Sequence, residues 1–225
     1  DSDEDGISDG AEARFDTDAD GINNGLESNN TDLDNDGEFD DVDPIELPAE
    51  CAVAGQTRRE TVVLGSAQDV ADFEDSAVAC VIGYLIIGDD VGPVNLTHLQ
   101  VVTGRVIVRE SLGDTVTLGA LTRAGSLEVE ENTLLTSLSL PVLTLIDTDL
   151  RIVSNPVLAT LDIRALRKVG GSVIITNNGA LVTLALPALE QIGGDFTISD
   201  NDALVNLELN TLIQIDGDLV ISNND

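Results

Sequence analysis

The stretch Gly171-Ser172-Val173-Ile174-Ile175-Thr176-Asn177-Asn178 returns 23 residues on as Gly194-Asp195-Phe196-Thr197-Ile198-Ser199-Asp200-Asn201, and again as Gly217-Asp218-Leu219-Val220-Ile221-Ser222-Asn223-Asn224. Within each copy apolar side chains recur at every second position, the pattern of a strand with one face buried. Toward the N-terminus the same pairs continue: Leu85/Ile87, Val106/Val108, Leu127/Val129, Leu150/Ile152, then Val173/Ile175, Phe196/Ile198 and Leu219/Ile221. Their steps are 21, 21, 23, 23, 23 and 23 residues. An Asn follows the later strands at a constant interval of 23, as Asn132, Asn155, Asn178, Asn201 and Asn224. Glycine precedes most strands, at Gly104, Gly125, Gly171, Gly194 and Gly217, with Thr148 the exception.

Between these strands lies a second alternating segment, such as Ser137-Leu138-Ser139-Leu140 or Thr183-Leu184-Ala185-Leu186, and a third apolar stretch such as Leu189-Glu190-Gln191-Ile192. One coil of this size cannot bury its apolar face alone, but coils stacked about 4.8 Å apart share a continuous core. The expected fold is therefore mainly β: a parallel β-solenoid of 21–23-residue coils, each giving two or three short strands. The Asn column reads as an internal ladder at a corner. The low aromatic content, 2% against 42% hydrophobic residues, fits a core of stacked Leu, Ile and Val.

The first coil has a cap. Thr61-Val62-Val63-Leu64 reads as a strand, and Ser66 with Asp69 forms a capping box. That box opens a helix with Val70, Phe73 and Ala77 on one face. The only two cysteines, Cys51 and Cys80, flank this region and form either a disulfide or two separate buried thiols. A bridge is the expectation in an extracellular setting. With one His and no CxxC, a zinc site is not expected.

Charge is distributed unevenly. Of 42 acidic residues, 19 fall within residues 1–50, opposed there only by Arg14. A net charge of −32 excludes ordinary nucleic-acid binding, and no apolar run is long enough to span a membrane. The acidic residues are spaced as cation loops. The first places Asp1, Asp3, Asp5, Ile7, Asp9 and Glu12 at positions 1, 3, 5, 7, 9 and 12 around Gly6. The second repeats this with Asp16, Asp18, Asp20, Ile22, Asn24 and Glu27 around Gly21, the third with Asp32, Asp34, Asp36, Glu38, Asp40 and Asp43 around Gly37. Calcium takes six to eight oxygens, and this order supplies side chains, one main-chain carbonyl at position 7 and a closing carboxylate. Only three or four residues separate the loops, too few for flanking helices. Pro44 and Pro48 stiffen a connector, so the expected domains are 1–47 and 48–225.

At this spacing, residues 1–43 resemble thrombospondin type-3 calcium repeats, which implies an extended cord wrapped around its ions. The coil repeat, the opening Cys loop, strand and helix make residues 51–225 similar to the receptor L-domain, a leucine-rich β-helix, which implies a right-handed parallel β-solenoid.

Outward positions of the main strands give one column, Ile86, Ile107, Glu128, Arg151, Ile174, Thr197 and Val220, and another, Gly88, Arg109, Glu130, Val153, Thr176, Ser199 and Ser222. Arg109 beside Glu130, and Glu128 beside Arg151, are expected ion pairs of small energetic worth. The polysaccharide-active enzymes built on β-helices need clustered Asp, Arg, Lys or His on one face, whereas this face offers scattered Ser, Thr and Val, which leaves such an enzyme the remote alternative. His98 is expected at a loop or edge, without a catalytic role. The sequence reads as a non-catalytic, extracellular or cell-surface structural and adhesive protein with calcium as its cofactor. The alternative is a receptor-type ligand- or glycan-binding module, which calls for an exposed aromatic and arginine cluster, whereas the five aromatics are expected mostly at inward or capping positions. The expected partners are calcium ions and further copies of the chain end to end, or other surface proteins. The last strand ends midway through a coil, so either further coils or another element is expected over Leu219 and Ile221.

Overall fold

The computed structural model describes residues 51, 56–88 and 91–224. The three acidic loops with all their candidate ligands, Asp1 to Asp43, and the domain boundary after residue 47 lie outside the described residues.

The described chain is a parallel-strand β-solenoid of about seven turns. Strands stack in three columns. The first holds Val62–Leu64, Leu85–Gly88, the second halves of Val101–Arg109 and Arg123–Glu130, then Leu150–Val153, Val173–Thr176, Phe196–Ser199 and Leu219–Ser222. The second holds Thr57–Arg58, Cys80–Val81, the first halves of the same two long strands, then Leu145–Ile146, Lys168–Val169, Gln191–Ile192 and Gln214–Ile215. Because Val101–Arg109 and Arg123–Glu130 run through both columns, these strands form one 14-stranded sheet. The third column begins with Val94–Leu96, Thr115–Leu118, Ser137–Ser139 and Thr160–Asp162, and Thr183–Ala185 pairs with Asn206–Glu208.

Register follows the repeat. Leu127, Leu150, Val173, Phe196 and Leu219 face one another in succession, as do Val129, Ile152, Ile175, Ile198 and Ile221. Unequal early coils are absorbed by a register shift between Val102 and Arg105. From Leu85 to Ile198 every inward residue of the main column is fully buried. Full burial of a Leu, Ile or Val side chain contributes about 1.5–3 kcal/mol, so these rows are the main stabilising term. Leu219 and Ile221 are about half exposed, at 52% and 51%, where the described residues end.

The front of the stack is built as its sequence implied. Helix α1 spans Ala67–Asp75, and the Ser66 side chain caps it by accepting from the Asp69 N–H at 3.2 Å. The Asp69 carboxylate reaches back to accept from the Ser66 hydroxyl at 2.8 Å and the Gly65 N–H at 3.2 Å, completing the box. Phe73 is the buried anchor. Ala77 lies beyond the helix rather than on its face: Ser76 is the C-cap, and Ala77 takes the left-handed conformation that ends many helices. Cys51 and Cys80, both buried, form a disulfide.

Candidate binding surfaces of the solenoid

Four buried asparagines make one continuous ladder. The Nδ2 of Asn132 donates to Oδ1 of Asn155 at 2.9 Å and to the carbonyls of Val108 and Glu130, and its main-chain N–H also donates to Asn155. Asn155 repeats this toward Asn178, Asn178 toward Asn201, and Asn201 toward Asn224. The Ser111 N–H donates to Asn132 Oδ1 and closes the start. With every amide engaged, the column is structural and leaves nothing for a ligand.

The residue before each ladder Asn forms a second column that the sequence reading passed over. Glu131, Ser154, Asn177, Asp200 and Asn223, together with Glu110 before Ser111, all have φ between 51° and 59°. The chain leaves the strand there and turns sharply inward to deliver the next residue into the ladder. That requires the left-handed region, which Asn and Asp enter more readily than most side chains. The signal was present as short polar residues, Ser154, Asn177, Asp200 and Asn223, recurring one position before the last four ladder asparagines.

The outer face of the main column is more varied than expected. Arg109 stands opposite Glu130, and Arg151 opposite Glu128, as read from the sequence. The ion pairs nonetheless run diagonally. Arg109 pairs with Glu131 at 2.7 Å, Arg151 with Glu130 at 2.8 Å, and Glu128 with Arg105 at 3.2 Å. The left-handed turn at Glu131 brings its carboxylate to the guanidinium of Arg109 and frees Glu130 for Arg151. The alternation also continues two residues upstream of the columns read from sequence. Tyr84 is 44% exposed beside Ile86, and the Arg105 guanidinium stands over its ring, 6.0 Å from the centroid. The sole tyrosine is thus outside the core, in the aromatic–arginine pairing a binding face uses.

A shallow groove of about 550 Å³ lies along the corner, lined by Glu131, Thr133, Ser154, Pro156 and Asn177. Arg109 engages Glu131 at one end of the column, and Asn223 donates to Asp200 at 3.0 Å at the other. Among the described residues the side chains of Ser154, Asn177 and Thr133 make no hydrogen bond within the protein.

His98 is on the edge as expected, 51% exposed, its Nδ1 2.9 Å from Glu74 of α1. Among the described residues no group of three or more His, Cys, Asp or Glu could hold a metal. No described helix is long and apolar enough to cross a membrane. Comparison with known proteins finds no matching family model, no matching curated protein and no matching solved structure.

Proposed function

We propose that this chain is an extracellular, non-catalytic surface protein in which an acidic calcium-binding segment leads into a rigid solenoid that serves structural and adhesive roles. One observation carries this reading: oxygen ligands recur three times at positions 1, 3, 5, 9 and 12 around a glycine at position 6, within 43 residues. The short spacing favours a thrombospondin type-3-like cord over helix-flanked loops, and the coil pattern favours an L-domain-like solenoid. The Cys51–Cys80 disulfide supports an oxidising compartment. The stacked core and the Asn ladder support a stiff spacer.

Limited proteolysis and circular dichroism of the full chain, with calcium and with chelator, test this reading. Chelation should open residues 1–43 to cleavage while the solenoid stays intact, because the crowded carboxylates repel one another without cations. Equal protease resistance in both conditions would overturn it. A ligand-binding module is the second reading, favoured by Tyr84 and Arg105 on the outer face.

A further inference from the structure

We propose that the corner groove between Glu131 and Asn177 is a binding site for an uncharged oligosaccharide lying along the solenoid axis.

Along the left-handed column, the groups at both ends are spent on one another: Glu131 on Arg109, Asp200 on Asn223. The groups in the middle, the Ser154 hydroxyl and the Asn177 amide, are uncommitted and line the concavity together with the Thr133 hydroxyl. At other turns of the coil threonines close back on the backbone, as Thr122, Thr136 and Thr144 do. Two hydroxyls and a carboxamide supply donors and acceptors in near balance, which suits a ligand whose own groups are hydroxyls. Pro156 adds an apolar ring between them, a surface for the C–H face of a sugar.

Charge narrows the class. Glu131 is the one charged residue lining the groove, and Arg109 already neutralises it. No cation lines the groove to take a carboxylate or phosphate, and the chain as a whole carries −32. An anionic ligand is repelled, and a cationic one finds no free carboxylate. Length narrows it further. Glu131, Ser154 and Asn177 sit on three successive coils, since their neighbours Glu130, Val153 and Thr176 are in register. Two strand spacings are about 10 Å, the reach of a short oligosaccharide rather than of a folded partner.

The corner is also held rigid before anything binds. The main-chain N–H groups of Glu131, Ser154 and Asn177 donate to Val153, Thr176 and Ser199 on the next coil, at 3.1, 3.0 and 3.2 Å. Little backbone order has to be created on binding, which suits a shallow site.

The test is titration calorimetry of the full chain with neutral hexaoses (malto-, cello-, xylo- and manno-), beside a uronate hexamer, each in calcium and in chelator. The comparison variant is Ser154→Gly with Asn177→Gly, because glycine keeps the left-handed corner while removing both polar groups. At least one neutral hexaose should bind, with the same affinity in chelator, and the double variant should bind it about tenfold more weakly. Thr160→Ala, on the third strand column, should leave affinity unchanged. The proposal fails if no neutral hexaose binds, if only the uronate binds, or if the double variant binds as the parent does. It also fails if binding vanishes with chelator, which would place the site in the acidic segment. Because the groove lies wholly within the solenoid, it can stand or fall independently of the calcium reading.

Discussion

Asn155 and Asn178 occupy successive coils 23 residues apart, and the Nδ2 of the first donates to the Oδ1 of the second across 3.1 Å. The same oxygen accepts the main-chain N–H of Asn155 at 3.2 Å, while the Nδ2 of Asn178 donates to the carbonyls of Ile152 and Thr176. One side chain therefore satisfies buried donors and acceptors on both sides of it. Asn132 and Asn201 repeat the same set of bonds from their own coils.

Replacing Asn178 by alanine should destabilise the solenoid by about 3 kcal/mol, because several buried main-chain groups lose their partner at once. The same change at Asn224 should cost less, since its bonds are only part-buried or exposed. Urea denaturation of the two variants reads the difference. Equal midpoints would mean that the ladder tolerates gaps and that the stacked apolar rows alone fix the coils.

Most of this architecture was legible beforehand, for a physical reason. In a stacked coil each inward position meets its own equivalent one repeat away, so the period of the sequence is the register of the sheet. Val173 therefore lies opposite Phe196 with no further information. The capping box at Ser66 was equally local. Side-chain pairing outside the core was not legible, because it depends on corner geometry. Arg109 turns to Glu131 rather than to Glu130 only because Glu131 is left-handed. Tyr84 stands one alternation before Ile86, ahead of the strand Leu85–Gly88, where the apolar pairing that marks the outward column has not yet begun. The groove is a product of which polar groups remain unpaired after folding, and no spacing rule reports that.

The disulfide should be fully formed in the isolated chain. No thiol should react with a titrating reagent in denaturant without reductant, because Cys51 and Cys80 are the only cysteines and are bonded. Changing both to alanine should lower stability by about 3–4 kcal/mol on the chain-entropy account of a loop of this length. Two reactive thiols in denaturant would contradict the structure.

Gly193 should not accept alanine. A Cβ there would overlap the Gly170 carbonyl oxygen and stand 2.9 Å from its carbon, and both atoms are backbone that cannot swing aside. The coils would have to separate locally, at a cost of about 1–3 kcal/mol, with the neighbouring ladder bonds strained. Gly92 is the control: a Cβ there meets nothing within 4 Å. Thermal unfolding of the two alanine variants should separate them by several degrees, whereas equal melting would show that coil spacing is softer than the contact implies.

Glu74, on α1, accepts the Thr97 N–H at 3.1 and 3.0 Å on its two oxygens, accepts the Thr97 hydroxyl, and stands 2.9 Å from His98. This carboxylate ties the capping helix to the turn after Val94–Leu96. Burial pushes its titration upward, but the Thr97 hydrogen bonds and the His98 imidazole together outweigh that and hold it below the ordinary glutamate value. A group depressed in the folded state stabilises fully above its unfolded value, and that contribution disappears as pH falls through the folded one. Glu74→Gln should therefore melt about 2–4 °C below the parent near pH 6. The gap should narrow as pH falls below about 4 and close once Glu74 itself is protonated. Taking the difference between the two proteins cancels the other acidic groups they share. A gap that stays constant from pH 6 to pH 3 would show that Glu74 holds the helix through shape rather than through charge.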